Sequence, residues 1–182
     1  MKRTLSSGRS VLRWYALRVT YCRELALKKA LEAEGVECFL PMRHVEQEAD
    51  GQSRRLRVPA VHNLLFARTT LATLAAFRKR QGATCPLRFI LDCTTGEPLT
   101  LDDETMRHFI AVAGSENEQI LYLSAGECSL KAGDRVRVVA GLFAGVEGRL
   151  VRIRGDRRVV VELPGFMAVA TACVFPSMVR LL

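Results

Sequence analysis

The sequence predicts an α+β fold in two parts. Three observations carry this. Up to about residue 114, strand-like apolar stretches alternate with stretches of helical period. After residue 130 the chain reads almost wholly as short strands separated by turn signals. Between the two lies Ser115-Glu-Asn-Glu-Gln119, a polar segment with no apolar period. The predicted domains are therefore residues 11–114 and 130–182, joined by a linker over 115–129.

The N-terminal part opens on Trp14-Tyr-Ala-Leu-Arg-Val19, a strand rich in aromatic and β-branched residues. A helix is expected from about Cys22 to Glu34, with Leu27, Ala30 and Leu31 on one face and Gly35 as its stop. Val36 to Leu40 is a second strand, closed by Pro41, which completes a β-α-β start. His44–Glu48 and Arg54–Val58 flank Asp50-Gly51, a hairpin signal. Arg54, Arg55 and Arg57 make the return strand basic. That pattern fits an edge protected by charge and equally a contact to nucleic acid.

Asn63-Leu-Leu-Phe-Ala67 is a short apolar strand. Thr70 is the expected cap of a helix from Leu71 to Gln81, with Arg78-Lys-Arg80 placed favourably against its dipole. Pro86 to Leu91 is another strand. Thr100-Leu-Asp-Asp103 has the form of a capping box, so the Asp102-Asp103-Glu104 carboxylates read as helix-start chemistry. The helix they open is expected to bury Met106, Phe109, Ile110 and Ala113 and to end at Gly114.

Composition bounds the function. The chain has 182 residues, nearly half of them hydrophobic, and a net charge of +8. Residues 1–127 carry 18 Lys/Arg against 15 Asp/Glu, a net +3; residues 128–182 carry 9 against 4, a net +5. The shorter part is the more basic, which suits a nucleic-acid or ribonucleoprotein neighbourhood. No apolar run approaches the length of a membrane span, and a cytoplasmic monomer is expected. The six cysteines include no C-x-x-C pair, and the three histidines are scattered. Zinc, a disulfide framework and other cofactors are not expected. No nucleophile elbow or phosphate loop is present, so the chain does not read as an enzyme.

The most distinctive stretch is Leu130 to Arg154. Gly133-Asp134 turns into a strand in which Val136 and Val138 alternate with Arg135 and Arg137. Gly141, Gly145 and Gly148 then punctuate a loop with Phe143 at its tip. A second strand runs from Gly148 to Arg154, and a third from Arg157 to Leu163. Phe166–Ala172 and Met178–Leu182 complete five strands, the pattern of a small SH3-like barrel. Ile120 to Leu123 is an apolar patch expected to pack on one of the two domains.

Gly133, Asp134, Val136, Val138, Gly141, Phe143, Gly145, Val146 and Gly148 resemble the KOW motif. Together with the Trp14-Tyr15 strand, the basic hairpin and the apolar strand, the order of elements resembles NusG-type transcription factors from Trp14 to Leu182. Trp14-Tyr-Ala-Leu-Arg18, Pro86-Leu-Arg-Phe89 and Val169-Ala-Thr-Ala172 are most similar to the UpxY branch of capsular polysaccharide loci.

The resemblance implies a NusG-type antiparallel sheet with helices, a KOW barrel, and a non-enzymatic elongation or antitermination factor serving long polysaccharide operons. It implies docking on the clamp of the largest RNA polymerase subunit through an exposed apolar strand. Val61-His-Asn-Leu-Leu-Phe66 aligns with the family's docking strand, which nominates Leu64 and Phe66, with Tyr15 and Arg18 on the adjoining strand. Arg54, Arg55 and Arg57 would face DNA or nascent RNA. Phe143 either contacts a ribosomal protein or Rho, or folds over the barrel end. One branch of that family hides its docking face under a C-terminal domain refolded as two helices. The valine run at Val159–Val161 and Pro164-Gly165 here predict a barrel instead. The competing reading, a ribosome-associated KOW protein, accounts for the barrel but not for the N-terminal domain.

Overall fold

The computed structural model describes residues 11–49, 52–124 and 133–182. The predicted Asp50-Gly51 turn, the rest of the linker from Ala125, and Leu130 lie outside the described residues. Arg13–Val19 (β1) is the central strand of a five-stranded antiparallel sheet. Leu64–Thr69 (β5) flanks it on one side, with Glu37–Phe39 (β2) beyond. On the other side lie Leu87–Phe89 (β6) and Thr100–Leu101 (β7), paired with different halves of β1. The expected β-α-β start is present, but β5 separates β1 from β2 in the sheet.

Glu24–Glu32 (α1) and Leu71–Gln81 (α2) pack on one face of this sheet. Thr70 caps α2 as predicted, its hydroxyl accepting from the Thr73 N–H. Asp103–Ala113 (α3) covers the other face. Its cap is not Thr100 but Asp102, whose carboxylate accepts from the Thr105 N–H at 2.7 Å. Thr100 and Leu101 are instead held as β7 by pairing with Tyr15 and Trp14. Because Asp102 caps α3, that pairing costs the helix no capping bond, which is worth about 1 kcal/mol. The helix buries His108 and Val112 beside Met106, Phe109 and Ala113, while Ile110 is half-buried.

Met42–Ala49 (β3) and Gln52–Pro59 (β4) form a separate hairpin. Leu121–Ser124 (β8) joins the second large sheet, with Arg135–Val138 (β9), Glu147–Ile153 (β10), Asp156–Leu163 (β11), Met167–Ala170 (β12) and Val179–Leu181 (β13). Its order is β13-β9-β10-β11-β12-β8, antiparallel throughout. The apolar patch of the predicted linker is thus a barrel strand, zipped to β12 from Leu121–Ala170 to Ser124–Met167. In the whole chain the described C-terminal residues form strands, not a helical pair.

Two glycine positions explain the barrel's crossing. A Cβ on Gly148 would stand 2.3 Å from the Val160 carbonyl oxygen, so β10 and β11 approach closer there than any side chain permits. Gly145 has φ +89° in open space, where the constraint is the backbone angle alone.

Candidate functional site

Alternation along β1 and β5 divides the expected docking residues between two faces. Trp14, Ala16, Leu64 and Phe66 look one way, and Tyr15, Leu17, Val19, Leu65 and Ala67 look the other. Tyr15 is buried against the α1–α2 side. Arg18 is exposed at the end of the Trp14 row. Leu64 and Phe66 are 2% and 0% exposed. They do not form the open apolar strand that the sequence leads one to expect, because α3 lies over them. Phe109 meets Phe66 edge-on at 5.4 Å, and Phe39 completes the aromatic group. Such pairs add about 0.5–1.5 kcal/mol beyond area burial.

The cover continues into the barrel. One contiguous cluster of buried side chains includes Phe66, Met106 and Phe109 with Val136, Phe143, Val161 and Met167. At its margin the His108 Nδ1 accepts from the backbone N–H of Glu147 on β10 at 3.2 Å. The Glu147 carboxylate is held by Arg137, with Arg135 at 4.0 Å. The Arg137 hydrogen bonds keep its pKa below the usual carboxylate range. Burial, aided by Arg107, pushes the His108 imidazole below its ordinary 6.5. Glu104, His108 and Glu147 bring three ligand-type atoms within 4.8 Å. With the Glu147 carboxylate on Arg137 and the His108 Nδ1 on a backbone N–H, the group serves as a seam between helix and barrel. A cavity of about 380 Å³ opens beside it, between α3 and β10–β11.

At its N-terminal end α3 is tied to the sheet. Arg68 on β5 grips the Asp103 carboxylate through Nε at 2.7 Å and Nη2 at 2.8 Å. These bonds lower the Asp103 pKa, with a smaller contribution from the Trp14 side chain. Asp103 therefore both opens the helix and pins it over the Trp14 face.

The hairpin arginines also fall on two sides. Cross-strand register puts Arg57 opposite His44 and Arg55 opposite Glu46, whereas Arg54 pairs with Gln47 on the reverse face. Arg57 donates through Nε at 2.8 Å, and through Nη2, to the Glu116 carboxylate. Arg55 donates to Glu118 at 2.7 Å. The Arg57 bond holds the Glu116 pKa below the usual range. Sequence reasoning missed Glu116 and Glu118. A signal existed: their two-residue spacing matches that of Arg55 and Arg57.

In the barrel, Gly133, Asp134 and Val136 lead into and along β9, and Gly141, Phe143 and Gly145 lie in the β9–β10 loop before Gly148 on β10. Phe143 is 6% exposed and belongs to the core; its neighbour Leu142 is 67% exposed. The loop touches the turn before β13, where the Val139 N–H donates to the Met178 carbonyl. Phe175 is 65% exposed beside that turn.

The family described as "Transcription termination factor nusG" matches residues 12–110, more than half of the chain. The chain belongs to the NusG family. It is a transcription elongation or antitermination factor, of a family whose members are non-enzymatic and interact with RNA polymerase. No curated protein matches it. Among solved structures, "Domain interaction in Thermotoga maritima NusG" is similar at 19% identity and a TM-score of 0.48, over 96% of this chain and 99% of that one. Among the described residues, no helix is long and apolar enough to cross a membrane.

Proposed function

We propose that this NusG-type protein is a specialised, monomeric antitermination factor of the UpxY kind, acting in the cytoplasm on long operons for surface polysaccharide. It docks on the polymerase clamp through the sheet face that carries Leu64 and Phe66, after α3 and the barrel give up part of that face. The supporting observation is that a factor expected to use an apolar strand keeps that strand under a cover containing a second domain. Burying a Leu and a Phe side chain is worth about 1.5–3 kcal/mol each, so polymerase offers apolar contacts in exchange for those lost. Arg18 lies at the exposed rim of this face. Tyr15, on the reverse face, supports the strand from behind. Leu142 and Phe175, rather than Phe143, offer the barrel's contact to Rho or a ribosomal protein.

The test is binding to core RNA polymerase by the intact chain and by a fragment of residues 11–114, with circular dichroism to establish that the fragment is folded. The fragment keeps α3 but lacks the barrel, and should bind at least about tenfold tighter, a gain of about 1.4 kcal/mol from losing the barrel's part of the cover. A folded fragment that binds no better removes the barrel from the cover. Deleting the gene should lower distal transcripts of a long operon more than promoter-proximal ones; an equal fall along the operon would point to initiation instead.

A further inference from the structure

The connector after α3 holds two carboxylates on two arginines of the hairpin. Glu116 sits on Arg57 and Glu118 on Arg55, across sequence separations of 59 and 63 residues. The Glu116 side chain is 18% exposed, while Arg55 and Arg57 are each 59% exposed. The arginines thus stand at the surface with one side occupied. A guanidinium binds carboxylate and phosphate with the same forked geometry.

The contact is loosely filled. Beneath the connector lies a cavity of about 320 Å³, lined among others by Met42, His44, Glu116, Ile120 and Tyr122. Two polar atoms there, His44 Nδ1 and the Tyr122 hydroxyl, are buried without a hydrogen-bond partner. The Glu116 carboxylate is 3.6 Å from His44 Nδ1, beyond hydrogen-bonding range. Glu116 also has φ +52°, a backbone region that costs a non-glycine residue energy. The connector is therefore held to the hairpin chiefly by its charges.

It is held to the barrel more firmly. Arg158 on β11 donates to the Gln119 carbonyl at 2.5 Å and to the Thr171 carbonyl at 2.8 Å. Leu121 then enters β8 and its ladder with β12. A separation of barrel and sheet, as the proposed docking requires, would carry the Gln119 end of the connector with the barrel and draw Glu118 and Glu116 off the arginines.

We propose that Ser115–Gln119 is an acidic cover, with Glu116 and Glu118 occupying the positions at which nucleic-acid phosphates bind Arg57 and Arg55. The inference rests on the reading that this hairpin faces nucleic acid, and adds its control. The face also carries Glu46 opposite Arg55 and Glu48 opposite Ser53; Arg57, opposite His44, is the cation farther from these anions. Forked guanidinium contacts of this kind suit a phosphate backbone rather than base readout.

The experiment uses the intact chain and fluorescence anisotropy with a short single-stranded DNA and an RNA of the same sequence. Glu116→Gln/Glu118→Gln keeps side-chain size and hydrogen-bonding capacity while removing both charges. Its affinity should rise about fivefold, the scale on which two exposed ion pairs compete. Its salt slope should steepen by about 1.4, since each phosphate contact on a single strand contributes about 0.7. Adding Arg55→Gln/Arg57→Gln should cancel the gain. A gain that survives in the fourfold variant arises from net charge and overturns the cover. If Arg55→Gln/Arg57→Gln weakens the parent protein while Glu116→Gln/Glu118→Gln binds like the parent, the hairpin binds nucleic acid uncovered: the cover fails and the underlying reading stands. If neither the parent nor the uncovered variant binds either strand, the nucleic-acid reading fails, and the cover with it. A difference between the DNA and RNA arms identifies which backbone supplies the phosphates.

Discussion

The two faces of the five-stranded sheet are equally dry and differently closed. Leu17, Leu65 and Ala67 lie under α1 and α2, helices that follow their strands directly in the chain. Leu64, Phe66 and Trp14 lie under α3, which is itself shared with the barrel. The first cover is local and belongs to one domain. The second is assembled from residues as far apart in the chain as Trp14 and Val174, and ends in a seam of hydrogen bonds and a cavity. Burial alone therefore does not distinguish permanent core from a face that can be exchanged. The distinction lies in which element provides the cover, and whether that element can leave without unfolding the sheet.

The strongest test compares aromatic truncations on the two sides. Phe77 is 2% exposed on α2 and Phe109 is 0% exposed on α3. Phe77→Ala should cost about 3–5 kcal/mol in global stability by denaturant titration. It should leave the radius of gyration in native buffer unchanged. Phe109→Ala should cost a similar amount but also expand the molecule in X-ray scattering, because it loosens the shared cover. Expansion by both variants to the same degree would erase the distinction between the faces.

The barrel offers a second, smaller contrast between its close crossing and its open loop. At Gly148 an added methyl meets backbone at 2.3 Å, and Gly148→Ala should cost about 1–3 kcal/mol by forcing β10 from β11. At Gly145 the space is open and only the positive φ resists, so Gly145→Ala should cost about 1–2 kcal/mol. A fragment of residues 120–182 should likewise keep strand chemical shifts to higher temperature than one of 130–182, which lacks β8 and leaves the β12 edge unpaired. A barrel indifferent to β8 would return Leu121–Ser124 to the role of a linker.

Much of this was legible where the cause is local. Thr70 caps α2 because a hydroxyl three residues before an amide suffices. The valine alternation in β9 reports its own buried face, whereas in β11 three consecutive valines are buried on both faces. Period-2 alternation also separates Leu64 and Phe66 from Leu65, and Arg54 from Arg55 and Arg57. What alternation cannot report is the partner on each face. Leu64 and Phe66 look alike in sequence whether polymerase or α3 covers them. Asp102, not Thr100, caps α3, and the sequence does not report that Thr100 is taken up in pairing with β1. Phe143 and Leu142 are adjacent apolar residues in one loop, and the backbone turn at Gly141 and Gly145 decides which is buried. The carboxylates of Glu116 and Glu118 read as a solvated linker until the fold brings the hairpin beside them.

The smallest effect concerns pH and separates the two faces once more. His108, 6% exposed, accepts from the Glu147 N–H across the α3–barrel seam. Arg107 and Glu104 on its own helix, and Glu147 and Arg137 on the barrel, are the charged groups that face it. Its pKa is lowered in the closed form, first by burial and then by Arg107. The open form, with an ordinary imidazole, therefore binds the proton more tightly. Closure is complete in its contribution above the ordinary value of 6.5 and weakens as pH falls through and below it. Protonation also turns the Nδ1 acceptor into a donor facing a donor. The protection factor of the Glu147 amide should fall between pH 7 and 5.5, so that its exchange slows less than the intrinsic base-catalysed rate, while amides of α1 under the opposite face keep a constant protection. His108→Asn, which preserves an acceptor but cannot be charged, should keep the Glu147 amide protected at both pH values. If that variant shows the same acid-dependent loss, the proton acts elsewhere, and the His108–Glu147 contact is a passive part of the seam.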